Sequence, residues 1–294
     1  MTAVPVFLYH SVAESPPAWI APYTVTPRTF TEQLDRIADS GRTVVPLRRL
    51  VSAIRGGPPL PTRAAVLTFD DGFADFYWTV APLLNERELP ATLFVTTGAI
   101  HPPGGRSTGS LLPPAPMLNW RQLAGLDAFG IEIGGHSRTH PQLDTLSGRQ
   151  LCEEIQRCKH ELEDAVGRPV SSYAYPHGYS SAAVRRKVQK AGWSSACGVG
   201  QAFSSTADDS LRISRLMVRA DTPAATFQEW ADGHGAPVAP VTERLRTKGW
   251  RGWRRLTARL GHPVGGPPAT PGSAEPDRPA GPAGHTPDDC DRDR

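Results

Sequence analysis

Two carboxylates stand side by side at Asp70 and Asp71, within the segment TFDDG at 68–72. They directly follow the apolar run AAVLTF at 64–69, which is typical of a buried β-strand. Carboxylates at the carboxyl end of a parallel strand are in position for acid–base or metal chemistry, because the active sites of parallel α/β proteins gather at that edge. Asp-Asp-Gly is also a common turn sequence, so this segment alone leaves a structural role equally open.

Two histidines, His136 and His140, follow a second strand-like run, IEIG at 131–134. Residues four apart can turn both imidazoles toward one point if the segment makes a helical turn, as in metal-binding H-x-x-x-H pairs. An isolated pair of this kind is often a surface coincidence. Together with a strand-terminal carboxylate, however, it supplies two nitrogens and one oxygen and leaves coordination positions for water and substrate.

The elements that must position these groups alternate between short apolar runs and helical patterns, the order expected of βα units around a parallel sheet or barrel. The apolar runs lie at 4–9, 43–47, 64–69, 91–95, 131–134, 170–175, 194–199 and 211–218. Capping boxes predict helix starts at Thr29 with Glu32 and at Ser147 with Gln150. Thr222 followed by Pro223 predicts a last helix with proline at its first position.

The composition favours one catalytic domain, because 294 residues with 39% hydrophobic side chains can bury one large core. The net charge of +3 arises from 32 basic and 29 acidic residues, a balance that argues against a nucleic-acid partner. The four cysteines form no C-x-x-C pair, so no zinc knuckle is indicated. No run approaches the roughly 18 apolar residues of a membrane span, and residues 1–10 lack the pattern of a signal peptide, so we expect a cytoplasmic protein.

The carboxyl-terminal part has a different composition. We expect a catalytic domain at 1–235, a basic helical segment with tryptophans at 236–260, and a disordered tail rich in proline and glycine at 261–294. Within 243–260, Trp250 and Trp253 would share one face of a helix with two leucines, between arginines on the flanking surface. This pattern predicts either a peripheral membrane contact or a terminal helix that docks on the catalytic domain.

Over about residues 4–230 the sequence resembles the polysaccharide deacetylases that share a NodB-type domain. The motifs that carry the resemblance are TFDDG at 68–72, HSRTH at 136–140 and AYPHG at 174–178. The resemblance implies an α/β fold, a distorted (β/α)7-type barrel, and metal-dependent removal of N-acetyl groups from amino sugars such as N-acetylglucosamine. It assigns the general base to Asp70 and the metal ligands to Asp71, His136 and His140, with Zn²⁺ as the expected ion.

The chain departs from the commonest family pattern at two points. Many members have an arginine where this chain has Ala174 and a later Asp-Trp motif that is not found here. We interpret the two losses as linked, because those two groups support each other and orient the base. Members of the exopolysaccharide branch carry the Tyr-Pro-x-Gly form seen here, so the loss does not imply inactivity.

The second departure concerns the general acid, because the usual Leu-x-x-His motif is absent around 211–218. His10 ends the first strand, and the resemblance to the exopolysaccharide branch gives it this role; capping a loop is its alternative role, and His177 is the rival candidate. Substrate and oxyanion contacts are expected from the run Tyr175, Pro176, His177 and Gly178, with a backbone N–H near Tyr175 as donor.

The expected partner is therefore an N-acetylated glycan or a sugar precursor. A deacylase of a small N-acylated or lipid-linked sugar and a non-catalytic carbohydrate-binding homologue are the alternatives. Two histidines and one carboxylate also describe non-haem iron oxygenases, but such sites do not explain the additional Asp70.

Overall fold

A computed structural model of the chain describes residues 3–101 and 109–241, together with Trp253 and Thr257. Of the predicted basic helical segment 236–260, residues 236–241 are described and are not helical. Apart from Trp253 and Thr257, the rest of that segment lies outside the described residues, as does the tail 261–294. The helix and the membrane contact predicted for the first segment, and the disorder predicted for the tail, stay predictions from the sequence. The boundaries of the catalytic domain also stay predictions. Among the described helices, none is both long and apolar enough to cross a membrane.

Short parallel strands form the centre of the molecule. The main sheet has the order β10-β1-β5-β6-β7-β8-β9, β4 pairs with β5, and β2 pairs with β3 in a separate two-stranded sheet. The strands are β1 Val6–Tyr9, β2 Ser11–Val12, β3 Thr24–Val25, β4 Thr43–Val44, β5 Ala64–Phe69, β6 Thr92–Val95, β7 Glu132–Gly135, β8 Ser172–Ala174, β9 Ser195–Cys197 and β10 Leu216–Met217. Each predicted apolar run overlaps one of these strands, which confirms the predicted order.

The sheet curls so that one short segment, 213–217, contacts both of its edges. Ile213 bridges Cys197 of β9 in parallel, and Leu216 of β10 pairs with Phe7 of β1. Parallel strands joined by helices and curled in this way form the distorted barrel that was predicted. Segment 213–217 is therefore the seam of the barrel.

Helices cover the outside of the curled sheet. Their bounds are α1 Pro27–Asp39, α2 Leu47–Ile54, α3 Ala81–Glu86, α4 Trp120–Gly125, α5 Gly148–Val166, α6 Ala182–Lys190 and α7 Ala224–Asp232. The capping box at Ser147 is confirmed at the start of α5. The predicted cap at Thr29 is wrong, because α1 begins two residues earlier and Thr26 accepts the Thr29 N–H at 3.1 Å. Pro223 likewise precedes the first helical residue of α7 instead of occupying it.

Alternation along the strands separates two apolar clusters. In β5, Ala65 and Leu67 pack outward in the larger cluster beneath the helices, whereas Ala64 and Val66 pack inward with Phe94 of β6. Because side chains on a strand alternate between faces, Thr68 and Asp70 continue the inward set. The period of β5 thus directs Asp70 toward the barrel interior.

A candidate metal and catalytic site

The two neighbouring aspartates reach the same site by different means. Asp70 points inward because it continues the alternation of β5. Asp71 would point outward on an extended strand, but its backbone has a φ of 77°, in the left-handed region. Gly72, with a φ of 92°, continues the turn. Both carboxylates are buried, as the predicted turn after Phe69 requires.

The structure brings the two predicted histidines to the same place as Asp71. The Nε2 atoms of His136 and His140 lie 3.5 and 3.3 Å from Asp71 Oδ1. One ligand atom from each of the three residues lies within 4.8 Å of the others. The two imidazoles converge without a helical turn: 136–140 is irregular, and Ser137 and His140 have φ values of 62° and 67°.

The donor set fits a cation. His136 Nδ1 lies 2.9 Å from the Ala174 carbonyl oxygen, which can only accept, so the ring proton belongs on Nδ1 and the Nε2 lone pair faces Asp71. Asp71 Oδ1 is itself buried without a hydrogen-bond partner. Two lone-pair groups that face each other at 3.5 Å in a buried site are stabilised by a proton or a cation between them, and the His-His-Asp donor set suits a divalent cation.

The electrostatics agree with this interpretation. Burial and the neighbouring charge of Asp70 raise the pKa of Asp71 well above its usual value. Burial, with the proximity of His136 and His177, lowers the pKa of His140 well below its usual value, and burial also lowers the pKa of His136. The histidines are therefore neutral, the form that binds metal, and a divalent ion would offset the cost of the buried Asp71 carboxylate.

Asp70 is held by a residue that the sequence analysis did not assign. Arg215, in the seam, donates from Nη1 and Nη2 to the two Asp70 oxygens at 2.7 and 2.8 Å, and neither side chain is accessible to solvent beyond 3%. Its Nε also donates to the Gly198 carbonyl at 2.9 Å. Burial raises the pKa of Asp70, but the charge of Arg215 and its side-chain hydrogen bonds outweigh burial and hold that pKa below its usual value.

The base therefore has an arginine partner, although Ala174 stands where many family members place theirs. Position 174 has no arginine, as the sequence shows, and Arg215 supplies a guanidinium to Asp70 from another part of the chain. One signal in the sequence could have revealed it. Arg215 lies between Ile213 and Met217 in a predicted buried strand, and a charged side chain in such a strand requires a buried partner.

His10 lies at the same edge of the sheet. Its ring centroid is 5.3 Å from that of Tyr23, and its Nδ1 is buried without a hydrogen-bond partner. Burial lowers the pKa of His10 to about 4; the charge of Asp70 opposes this effect, whereas Arg215 adds to it. The ring is thus neutral at pH 7 in the substrate-free protein, and it would have to gain its proton during the reaction to act as general acid.

The run 175–178 forms another wall of the site. His177 is exposed, and its ring centroid lies 4.6 Å from that of His140. The N–H of Tyr175 is not available as an oxyanion donor, because it donates to the Cys197 carbonyl at 3.0 Å; the Gly178 N–H donates to the Tyr175 carbonyl. Buried Pro176 has no N–H to offer.

Backbone strain is concentrated at this site. Of the six described non-glycine residues with positive φ, four belong to it, namely Asp71, Ser137, His140 and His177. Such conformations cost of order 1–3 kcal/mol each and persist where surrounding structure fixes them, typically at functional sites. A buried carboxylate beside an Asp-His-His set that could hold a metal ion is an arrangement suited to metal-assisted hydrolysis.

Comparison with known proteins specifies the family. Residues 57–196 match the family model of the polysaccharide deacetylases. Members of that family are hydrolases that cleave amide bonds of N-acetyl sugars. The predicted resemblance to this family is thereby confirmed.

The chain is also similar to two curated proteins. It is 40% identical over 68 residues to the Escherichia coli K12 poly-β-1,6-N-acetyl-D-glucosamine N-deacetylase, which is 23% of this chain and 10% of that protein. It is 22% identical over 191 residues to YxkH of Bacillus subtilis, named as a polysaccharide deacetylase, with 65% of this chain and 62% of that protein covered. The chain thus matches about a tenth of the first relative and less than two thirds of the second.

Solved structures confirm the fold. A de-N-acetylase from Aggregatibacter actinomycetemcomitans aligns with a TM-score of 0.67 at 19% identity, over 77% of this chain and 99% of that one. IcaB from Ammonifex degensii aligns with a TM-score of 0.65 at 22% identity, over 79% and 98% of the two chains. The NodB-like distorted barrel was therefore predicted correctly.

Proposed function

We propose that this protein is a metal-dependent deacetylase that removes N-acetyl groups from the amino sugars of a glycan. One observation carries the proposal: a buried carboxylate, Asp70, lies next to Asp71, His136 and His140, whose potential ligand atoms lie within 4.8 Å of one another. His136 Nε2 lies 3.8 Å from Asp70 Oδ2 and 3.5 Å from Asp71 Oδ1. Base and ligand set can therefore act on the same water molecule.

The residues of the chain have separate tasks. A divalent ion held by Asp71, His136 and His140, with Zn²⁺ the expected choice, would polarise the acetamide carbonyl and lower the pKa of a water molecule. Asp70 accepts the proton of the attacking water, because its lowered pKa keeps it ionised near neutral pH. Arg215 fixes both oxygens of Asp70, so the carboxylate is oriented before substrate binds.

Collapse of the tetrahedral adduct needs a proton for the departing amine. His10 and His177 border the site from different sides, His10 beside Tyr23 and His177 against His140. His10 is the proposed donor. The proton that Asp70 takes from the attacking water would pass to the neutral His10 ring and from there to the departing amine, so that acetate and the free amino sugar are released.

The proposed substrate is an N-acetylglucosamine-containing polymer or a precursor of one. The name of the Escherichia coli relative supports this proposal, since it specifies a polymer of β-1,6-linked N-acetyl-D-glucosamine. A small N-acylated sugar and a lipid-linked sugar are the alternatives.

Release of acetate tests the function directly. The protein would be incubated with N-acetylglucosamine oligomers, small N-acetyl sugars and lipid-linked sugars, before and after treatment with a chelator. We expect acetate from at least one class, loss of release with chelator, and recovery with Zn²⁺. Activity that survives complete metal removal would refute metal dependence, and absence of release by the metal-loaded protein from every class would favour a non-catalytic homologue.

A further inference from the structure

The two candidate histidine ligands lie at the ends of a short irregular loop, 136–140, between β7 and α5. Its backbone is left-handed at Ser137 and at His140, and the His140 N–H donates to Ser137 Oγ at 3.0 Å. Left-handed conformations are unfavourable for residues other than glycine. External contacts must therefore hold the loop in this shape.

Glu154 of α5 provides the most extensive of these contacts. Its Oε2 accepts the N–H groups of Arg138 and Thr139 at 2.9 and 2.8 Å, and its Oε1 accepts the Thr139 hydroxyl at 2.6 Å. One carboxylate thus binds both residues that lie between Ser137 and His140. Hydrogen bonds to a charged acceptor are about twice as strong as neutral ones.

Other segments hold the carbonyl groups of the same two residues. The Gly98 N–H donates to the Arg138 carbonyl at 2.7 Å, and the Leu111 N–H donates to the Thr139 carbonyl at 2.8 Å. The carbonyl groups of Arg138 and Thr139 thus have partners elsewhere, and their N–H groups donate to Glu154. Replacement of that carboxylate would leave two partly buried donors unsatisfied and the left-handed residues without support on that side.

We propose that Glu154 is a positioning residue that holds His136 and His140 in the arrangement that binds metal. This inference rests on the proposed function, because it assumes that the two histidines are ligands. Glu154 acts through the loop and has no contact with the ligand atoms in the described structure. Its loss should weaken metal binding, and turnover should fall only as far as metal occupancy falls.

Zinc affinity of the full-length protein tests the inference. Dissociation constants for Zn²⁺ would be measured by competition with a chromophoric chelator for wild type, Glu154→Gln and Glu154→Ala. We expect Kd to rise about 10–100-fold for Glu154→Ala, the range seen when groups that orient metal ligands are removed, and less for Glu154→Gln, which keeps one oxygen acceptor. The control is Glu153→Gln, since exposed Glu153 pairs with Arg157 on the same helix and should leave Kd within about two-fold of wild type.

Two further measurements separate local repositioning from general damage. The absorption spectrum of the Co²⁺-substituted protein reports coordination geometry and should change in Glu154→Ala and not in Glu153→Gln. Thr139→Val removes only the hydroxyl donor and should raise Kd by a smaller factor than Glu154→Ala. This variant and Glu154→Gln carry the test if Glu154→Ala does not fold.

The outcomes distinguish this inference from the proposed function. If wild type does not bind Zn²⁺, or His136→Ala binds it as tightly as wild type, the proposed metal site is wrong. If wild type binds Zn²⁺, His136→Ala does not, and folded Glu154 variants keep the wild-type Kd and Co²⁺ spectrum, the site stands and the role of Glu154 is refuted.

Discussion

The two halves of the candidate site are built with different chemistry. Asp70 is held by a full positive charge, the Arg215 guanidinium, through two short hydrogen bonds in a fully buried pair. The Asp71-His136-His140 half has no cationic side chain bonded to its ligand atoms among the described residues; a carbonyl orients His136 and a hydroxyl accepts the His140 N–H. A base that must stay ionised needs a permanent counter-charge, whereas ligands that await a cation would be blocked by one. The two roles therefore differ in their bonding partners: the proposed base has a positively charged partner, whereas the proposed metal ligands have uncharged ones.

The largest effect is expected from the ligand half. His136→Ala should abolish Zn²⁺ binding and acetate release together, because it removes one of two nitrogen ligands. Metal content after dialysis and acetate release would be measured in parallel. His160→Ala, a change at an exposed histidine of α5, is the matched control and should alter neither. Full metal occupancy in His136→Ala would contradict the ligand assignment.

A change of the proposed base should separate metal binding from activity. Asp70→Asn should keep Zn²⁺ but lower kcat on the order of 10²–10⁴-fold, because the carboxamide cannot accept a proton at neutral pH. Metal analysis and steady-state kinetics on one preparation would check both expectations. A variant with near wild-type kcat would show that the base lies elsewhere.

A third prediction concerns the general acid. His10→Ala should lower kcat about 10²-fold and change KM little, because proton donation stabilises the transition state and not the bound substrate. The same kinetics on His177→Ala provide the comparison. A large fall in kcat for His177→Ala with normal turnover in His10→Ala would reverse the two roles.

Replacement of Arg215 should have the smallest effect on turnover but a large effect on stability. Arg215→Met should lower the free energy of unfolding by about 3–5 kcal/mol, because it leaves the buried Asp70 carboxylate without its partner, and should lower kcat about ten-fold. Urea unfolding followed by circular dichroism would measure the first change. The double variant with Asp70→Asn should recover part of the loss, while Arg212→Met, at an exposed position, should cost almost nothing. Equal losses in the single and double variants would contradict a buried ion pair.

Local patterns in the sequence were sufficient to predict which carboxylates and histidines lie together at the site, but not the partner of Asp70. Asp70, Asp71, His136 and His140 follow strands, and strand ends of a parallel sheet converge on one edge, so their proximity could be deduced from apolar runs and motifs. Arg215 was missed because its partner is defined only by the curl of the sheet. The sequence around residue 215 does not indicate that its partner lies at the end of β5.

The helical turn that a four-residue spacing would allow between the histidines is absent for a related reason. A spacing of four is consistent with a helix, but Glu154 and the carbonyl contacts of Arg138 and Thr139 impose a left-handed loop instead. Tertiary hydrogen bonds outweighed the local pattern. The unavailable N–H of Tyr175 has the same origin, since pairing with Cys197 is a property of the sheet and not of the motif.

Because Arg215 lies in the seam, its position also determines the stage of folding at which the site is assembled. Asp70 and Arg215 are 145 residues apart in the chain, so their pairing has a high contact order and follows closure of a very long loop. During synthesis from the amino terminus, β1, β5, β6, β7 and β8 emerge before residue 215. A nascent chain that has not reached the seam can contain every predicted metal ligand but not the counter-ion of its base. The proposed site is thus complete only when the barrel closes.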